Sequence, residues 1–138
     1  LSLRVDKVPV SLALAQAANE SAWGTSRFAR QGNNIFGQWC YEKGCGLVPR
    51  RRPSGATHEV KKFDSIQESV NAYINNINTH PSYGYLRELR ARMRDQNRPL
   101  DSLGLAVGLG SYSQRGDNYV DEVQNLIMQN QLTERDNG

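Results

Sequence analysis

The sequence predicts a mainly α domain (α+β) with one small β-rich or loop-rich lobe inserted after the first helix. Three observations support this fold class. Residues 9–21 are rich in alanine, residues 31–64 concentrate helix-breaking glycines and prolines, and residues 65–130 carry apolar residues at helical spacing. The 138 residues suffice for one domain with a single core. We assign that domain to residues 1–132 and expect residues 133–138 to be a polar C-terminal tail.

The first helix is predicted to begin at Pro9 and to end before Gly24. Proline suits the first turn of a helix because its missing N–H would have no helical partner there. Glycine favours the position just after a helix C-terminus. The many alanines and few charges between them indicate burial on several sides. Ser26 is a start signal for a short helix that follows.

The N-terminus has features of a secretion signal, since Arg4 and Lys7 precede an apolar run over residues 8–15. That run continues directly into the rest of the first helix, so we interpret it as part of the domain. The chain begins at Leu1, and we expect it to be a fragment from which any export signal has been lost.

Residues 31–64 are predicted to form the small lobe. The pair Asn33-Asn34 favours a turn, and the alternation over residues 56–63 predicts one strand of a hairpin. We place no other strand with defined boundaries in this region.

The two cysteines of the chain, Cys40 and Cys45, lie in this lobe. Their close spacing permits a small loop disulfide, which would indicate an oxidising compartment, and two free thiols are the alternative. His58 and His80 have no metal-ligand spacing to the cysteines. We therefore expect neither a metal site nor a cofactor.

Four further helices are predicted after the lobe. A capping box of Ser65 and Glu68 begins the clearest amphipathic helix. Pro81 precedes the next helix, Ser102 is predicted to cap a short one, and the last begins at residues 117–118. The helix after the proline carries four arginines that we expect on a solvated face: Arg87, Arg90, Arg92 and Arg94.

Net charge and hydropathy limit the classes of partner that the chain can have. A net charge of +3 and an isoelectric point near 9.0 suit an anionic partner but lack the strong basic stripe of a nucleic-acid binder. No apolar run reaches the roughly 18 residues of a membrane span. We expect a monomer with no nucleic-acid partner and no membrane span.

Glu20 is the residue with the clearest chemical potential. It falls at the predicted C-terminus of the first helix, beside Trp23, and both the helix dipole and an apolar neighbour favour the protonated acid. A carboxylic acid that stays protonated near neutral pH can donate a proton to a leaving sugar oxygen. The alternative is an ordinary surface glutamate near a helix end.

Two blocks of the sequence resemble the glucosaminidase family of bacterial cell-wall hydrolases: Gln16-Ala-Ala-Asn-Glu-Ser-Ala-Trp-Gly-Thr-Ser26 and Asn33-Asn-Ile-Phe-Gly37. A third block, Ser111-Tyr-Ser-Gln-Arg-Gly-Asp-Asn-Tyr119, is similar to the family's tyrosine block. The run Asn78-Thr-His-Pro-Ser-Tyr83 and the paired cysteines resemble the Bax-type subgroup, which belongs to bacterial envelopes. The resemblance covers about residues 5–132.

The resemblance implies a lysozyme-like fold, in which the small lobe follows the catalytic helix. It implies a periplasmic or secreted bacterial hydrolase of the endo-β-N-acetylglucosaminidase type that acts on peptidoglycan glycan strands. The bond expected to break is the β-1,4 bond after N-acetylglucosamine. The alternatives are a muramidase or lytic transglycosylase on the same fold, or a non-catalytic glycan-binding module.

The resemblance also assigns catalytic residues. Glu20 matches the family's general acid, and Tyr112 matches its active-site tyrosine, which would hold water, orient an acetamido group or stabilise the sugar cation. A core tyrosine is the alternative. Glu59 is our candidate second carboxylate, ahead of Glu42 and Asp64, although a structural role is the stronger interpretation of Glu59 by itself. Participation of the substrate's acetamido group would need no second acid.

Five residues are predicted to contact substrate. Aromatic rings near the acid can stack on sugars, and an amide can bind sugar hydroxyls. Core packing is the alternative for the aromatic residues, and turn formation is the alternative for the amide. The five residues are Trp23, Asn34, Phe36, Trp39 and Tyr119.

Overall fold

The computed structural model describes residues 6–110 and 116–137. Six α-helices and three short strands follow each other in these residues. In chain order they are α1 (Val10–Ser21), α2 (Arg27–Gly32), β1 (Trp39–Cys40), β2 (Gly46–Leu47), β3 (Glu59–Lys61), α3 (Ile66–Thr79), α4 (Gly84–Asp95), α5 (Ser102–Ala106) and α6 (Asp117–Gln129). Single-turn or short 3-10 helices occupy Pro81–Tyr83, Val107–Leu109 and Leu132–Asn137. The predicted mainly α class with one small β-lobe after the first helix is confirmed.

The chain divides into two compact units, one of residues 17–73 and one of residues 1–16 with 74–138. The first unit contains the sheet, whose strand order is β1-β3-β2 with both pairs antiparallel. Trp39 and Leu47 both pair with Val60, which is buried. The predicted strand at residues 56–63 is therefore confirmed as β3, the central strand of the sheet.

The second unit is helical. It takes buried apolar side chains from α1 and the end of α3 as well as from α4, α5, α6 and the 3-10 helix between the last two. Among those that are almost fully buried are Leu86, Leu105, Leu109, Val123 and Ile127.

Two of the helix boundaries follow the predicted signals. α1 begins after Pro9, whose carbonyl accepts from the N–H groups of Leu12 and Ala13. At α3 the Glu68 N–H donates to Ser65 Oγ at 3.2 Å, as predicted, while the Glu68 carboxylate accepts from the N–H of Asp64 at 3.1 Å. Two other caps are shifted by one residue: Asp101, not Ser102, caps α5, and α6 is preceded by Gly116 without a side-chain cap.

The prediction of a solvated arginine face on α4 is wrong for Arg87 and Arg90, which are only 8% and 1% exposed. Arg87 Nη1 donates to the carbonyls of Ile77 and His80, each at 2.9 Å. Arg90 Nη2 donates to Asn78 Oδ1 at 2.8 Å. The burial of both guanidinium groups is possible because acceptors at the end of α3 satisfy their N–H groups. Arg87 uses backbone carbonyls that lack helical partners there, and Arg90 uses the side chain of Asn78.

Residues 133–137 of the expected polar tail lie in a short helix that contacts α1. Leu132–Asn137 form a 3-10 helix, and the Asp136 carboxylate accepts from the backbone N–H of Ser11 at 2.8 Å and from its hydroxyl.

None of the described helices is long and apolar enough to cross a bilayer.

Candidate active site

Glu20 is the penultimate residue of α1 and is partly exposed. The residues after it end the helix abruptly and redirect the chain into α2. The carboxyl group therefore projects from a helix end, as the sequence predicts, and its position depends on how that end is fixed.

Two serines of the first motif hold the turn that follows Glu20. Ser21 Oγ donates to the Ala17 carbonyl at 2.6 Å and accepts from the Gly24 N–H at 2.8 Å. The Ser26 N–H donates to the Ser21 carbonyl at 3.0 Å, while its hydroxyl caps α2 by accepting from Ala29 at 3.1 Å. The serines thus join the end of α1 to the start of α2.

The turn itself is left-handed over three consecutive residues. Ala22 and Trp23 have φ values of 51° and 57°, and Gly24 has 81°. A left-handed conformation costs a non-glycine residue roughly 1–2 kcal/mol. Such strain persists only where the surroundings impose it, and it concentrates at functional sites. The turn is therefore a strained element located directly beside Glu20.

Asn34 organises the second motif from a buried position, with 1% of its surface exposed. Its Nδ2 donates to the carbonyls of Gln38 and Lys61, both at 2.9 Å. Its Oδ1 accepts from the N–H groups of Gly37 and Gln38 at 2.8 and 3.2 Å. These four bonds use its hydrogen-bonding capacity on backbone groups, which supports the turn-forming alternative for this residue.

Gly37, which Asn34 holds through its N–H, borders the carboxyl group of Glu20. A Cβ on Gly37 would lie 3.3 Å from Glu20 Oε2 and 3.8 Å from Glu20 Cβ. Its φ of +72° is also left-handed. Glycine is thus needed here both for backbone conformation and for the close approach to the acid.

The predicted substrate-binding aromatics divide into buried and exposed groups. Phe36 is 2% exposed and stacks on Tyr73, with 3.9 Å between ring centroids, which supports core packing. Trp23 and Trp39 are 62% and 55% exposed. Trp39 also stacks on His58 with 3.8 Å between centroids and 14° between planes. Two tryptophans of this unit therefore present open ring surface.

Glu59 lies at the start of β3 and is enclosed by its neighbours. One carboxylate oxygen accepts from the Gly44 N–H at 3.0 Å and the other from the Gly46 N–H at 2.9 Å. These bonds lower the pKa of Glu59. Gly44 lies within the loop closed by the Cys40–Cys45 disulfide, and Gly46 follows it directly in β2. Glu59 thus holds the disulfide loop through both oxygens, which supports its structural interpretation.

The tyrosine candidates lie in the other unit of the chain. Tyr119, on α6, is fully buried, and its hydroxyl accepts from Gln16 Nε2 at 3.2 Å. Its burial supports a packing role. Tyr112 lies outside the described residues. Within the described residues, no group of three or more His, Cys, Asp or Glu side chains has the arrangement of a metal site.

Two residues of this region have roles that the sequence motifs do not indicate. The positive φ of Gly37 and its contact with the acid are visible only in the fold. His58 lies against Trp39, and the alternation along β3 is the sequence signal that favours this position.

Comparisons with known proteins agree on one family. The glucosaminidase family model, described as mannosyl-glycoprotein endo-beta-N-acetylglucosaminidase, matches residues 2–132. Over 128 residues the chain is 37% identical to Protein bax of Escherichia coli strain K12. The match covers 93% of this chain but only 45% of that protein. The chain thus spans less than half the length of this relative.

A solved structure shares the fold. It is the catalytic domain of the autolysin Auto from Listeria monocytogenes, with a TM-score of 0.66 and 22% identity. The match covers 90% of this chain and 73% of the other.

Proposed function

Because the chain belongs to the glucosaminidase family, we propose that it is a peptidoglycan hydrolase that cleaves the β-1,4 bond after N-acetylglucosamine, with Glu20 as general acid. The family description names the sugar, and the Listeria structure is that of an autolysin. The proposal rests on the position of Glu20. A strained left-handed turn follows this residue in the chain, and Gly37, which has no side chain, lies against its carboxyl group.

In this mechanism Glu20 donates its proton to the glycosidic oxygen as the bond to the leaving sugar breaks. The transition state has oxocarbenium character, so the reaction also needs a group that stabilises the sugar cation or delivers water. We assign that task to Tyr112, on the match of the tyrosine block, together with the substrate's own acetamido group. Acetamido participation requires no second protein carboxylate.

Glu59 has a structural role in this mechanism and takes no part in proton transfer. Both of its oxygens accept backbone N–H groups, which stabilises the carboxylate and makes it a weaker base and nucleophile than a free one. We propose that Glu59 keeps the disulfide loop in place while Glu20 performs the proton transfers. The Cys40–Cys45 bond supports a location in the periplasm or outside the cell, since disulfides persist in oxidising compartments.

The bond specificity is tested by digesting purified peptidoglycan and reducing the new ends with borohydride before mass analysis. We expect reduced N-acetylglucosamine at the new ends. Reduced muramic acid or anhydromuramic ends would instead assign the chain to the muramidase or lytic alternative. Binding without any new ends would assign it to a non-catalytic glycan-binding module.

A further inference from the structure

The indole of Trp39 forms a fixed platform on the sheet segment, which we define as residues 39–62. His58 covers one face of the ring at a centroid distance of 3.8 Å, yet the residue remains 55% exposed. The stack holds the ring in one orientation and leaves its other surface open to solvent. An open aromatic face of this kind packs well against the apolar C–H face of a pyranose, because the ring face carries partial negative charge and the C–H groups partial positive charge.

Arg52 is bonded to His58, the residue that supports this platform. Its Nη1 donates to the carbonyl oxygen of His58 at 3.1 Å. One N–H of the guanidinium is therefore used to hold the side chain, while a guanidinium has five N–H donors in all. Arg52 forms no ion pair within the part of the chain that the structure describes. A planar guanidinium held in this way is suited to bind a carboxylate through two parallel hydrogen bonds.

The sheet segment as a whole favours an anion. It contains six lysine and arginine residues against two carboxylates, Glu42 and Glu59. Both oxygens of Glu59 already accept backbone N–H groups. The segment's excess of four positive charges exceeds the net charge of +3 carried by the entire chain. The positive electrostatic potential of the sheet segment therefore attracts anionic ligands more strongly than the rest of the protein surface does.

We propose that this part of the sheet segment is a subsite for a sugar that carries its own free carboxylate, with Trp39 stacking on the ring and Arg52 binding the carboxylate. The inference rests on the proposed function and names its preferred substrate. In peptidoglycan the matching group is the lactyl carboxylate of a muramic acid whose peptide has been removed. An amide-hydrolysing reaction between the lactyl group and the peptide must therefore supply this substrate.

Both groups of the subsite are anchored to one residue. His58 stacks its ring on Trp39 and accepts a hydrogen bond from Arg52 through its carbonyl oxygen. A carboxylate carried on the stacked sugar itself is therefore the ligand that we expect, ahead of one farther along a flexible peptide. Trp39 also follows Gly37 by only two residues, so their Cα atoms are at most about 7.6 Å apart. The subsite thus borders the glycine that contacts Glu20.

The test measures binding of two matched ligands by calorimetry, in the full chain with Glu20→Gln to prevent turnover. The first ligand is a peptide-free oligosaccharide of alternating N-acetylglucosamine and muramic acid with free lactyl carboxylates. The second is the same oligosaccharide with those carboxylates converted to methylamides. Arg52→Gln is the test variant, and Arg51→Gln, which removes an exposed neighbouring charge, is its matched control.

We expect Arg52→Gln to weaken binding of the free acid about tenfold, the effect of losing one charged hydrogen-bonding partner, and to leave binding of the amide unchanged. Arg51→Gln should weaken binding of the free acid by much less than tenfold and should leave binding of the amide unchanged. Trp39→Ala should weaken binding of both ligands. Unchanged affinity of Arg52→Gln for the amide also shows that this variant is folded.

Equal losses for Arg52→Gln and Arg51→Gln on the free acid would overturn the subsite, because general charge would then explain the effect. An equal loss on both ligands would overturn it as well. If wild type still releases N-acetylglucosamine ends from peptidoglycan, only this inference fails. If wild type neither binds these ligands nor cleaves peptidoglycan, the proposed function fails with it.

Discussion

Gly37 lies against the carboxyl group of Glu20, and a Cβ at that position would be 3.3 Å from Oε2. Asn34 fixes this glycine by accepting its N–H at 2.8 Å. The two motifs of the sequence thus meet at one contact, since the first contributes the acid and the second contributes the glycine beside it.

Gly37→Ala should reduce turnover more than stability. The added methyl group would lie 3.3 Å from Glu20 Oε2 and displace the carboxyl group by a few tenths of an ångström, so we expect a loss of rate below the roughly 100-fold of a 1 Å misplacement. The left-handed φ adds about 1–2 kcal/mol of strain to the folded state. Gly55→Ala is the matched control, because Gly55 has φ +83° and nothing within 4 Å of a Cβ. Equal turnover in the two variants, measured on peptidoglycan, would contradict a positioning role for Gly37.

Asn34→Ala should destabilise the protein by about 2–4 kcal/mol, because it removes four part-buried hydrogen bonds, although the Gln38 carbonyl keeps the N–H of Lys61. Chemical denaturation measures this change, with Asn71→Ala on the exposed face of α3 as control. A substrate-binding role predicts the opposite pattern, in which KM rises while the free energy of unfolding is unchanged.

Glu59→Gln should lower stability at neutral pH and flatten its dependence on acid. Backbone N–H groups from Gly44 and Gly46 lower the pKa of Glu59 below its ordinary 4.5. The carboxylate therefore stabilises the fold above the unfolded-state pKa, and this contribution is lost as pH falls through the lower folded-state pKa. Denaturation between neutral pH and pH 3 would measure it, with the exposed Glu42→Gln as control.

The same Glu59 variant separates a structural from a catalytic role. If Glu59 only holds the disulfide loop, the folded fraction of Glu59→Gln should keep the wild-type kcat on peptidoglycan. A kcat reduced by several orders of magnitude in fully folded protein would show instead that Glu59 takes part in the chemistry.

Replacing both Cys40 and Cys45 with serine should lower the free energy of unfolding by about 2 kcal/mol, the chain-entropy contribution of so short a loop. Thermal unfolding with and without dithiothreitol measures the effect. Reductant should lower the melting temperature of wild type and leave that of the double variant unchanged. A wild-type melting temperature that does not respond to reductant would contradict a stabilising disulfide.

Local signals in the sequence were sufficient for the helices and for the end of α1. Pro9 and Ser65 act on neighbours within four residues and have the predicted effect. α1 ends before Gly24 as predicted, but Ala22 rather than the glycine takes the left-handed position just after Ser21. The close spacing of the cysteines permitted the disulfide for the same reason. These features rest on contacts that a short segment makes with itself.

The partners of buried polar groups could not be predicted in this way. Asn34 bonds to the carbonyl of Lys61, 27 residues away, and Arg90 is buried against Asn78 on another helix. Charge and residue type suggested a sugar ligand for the first and solvent for the second. Only the folded chain brings together the acceptors that these donors need, so their roles depend on tertiary structure.

The central claim is that Glu20 donates the proton to the leaving sugar, and the most direct test compares Glu20→Gln with wild type on two substrates. On peptidoglycan, whose leaving group needs a proton, we predict a loss of about 10²–10⁴-fold in kcat. On an aryl glycoside of an N-acetylglucosamine oligosaccharide, whose nitrophenolate leaves without one, the loss should be far smaller. An equal loss on both substrates would contradict the assignment of Glu20 as the acid, and so would full activity on peptidoglycan.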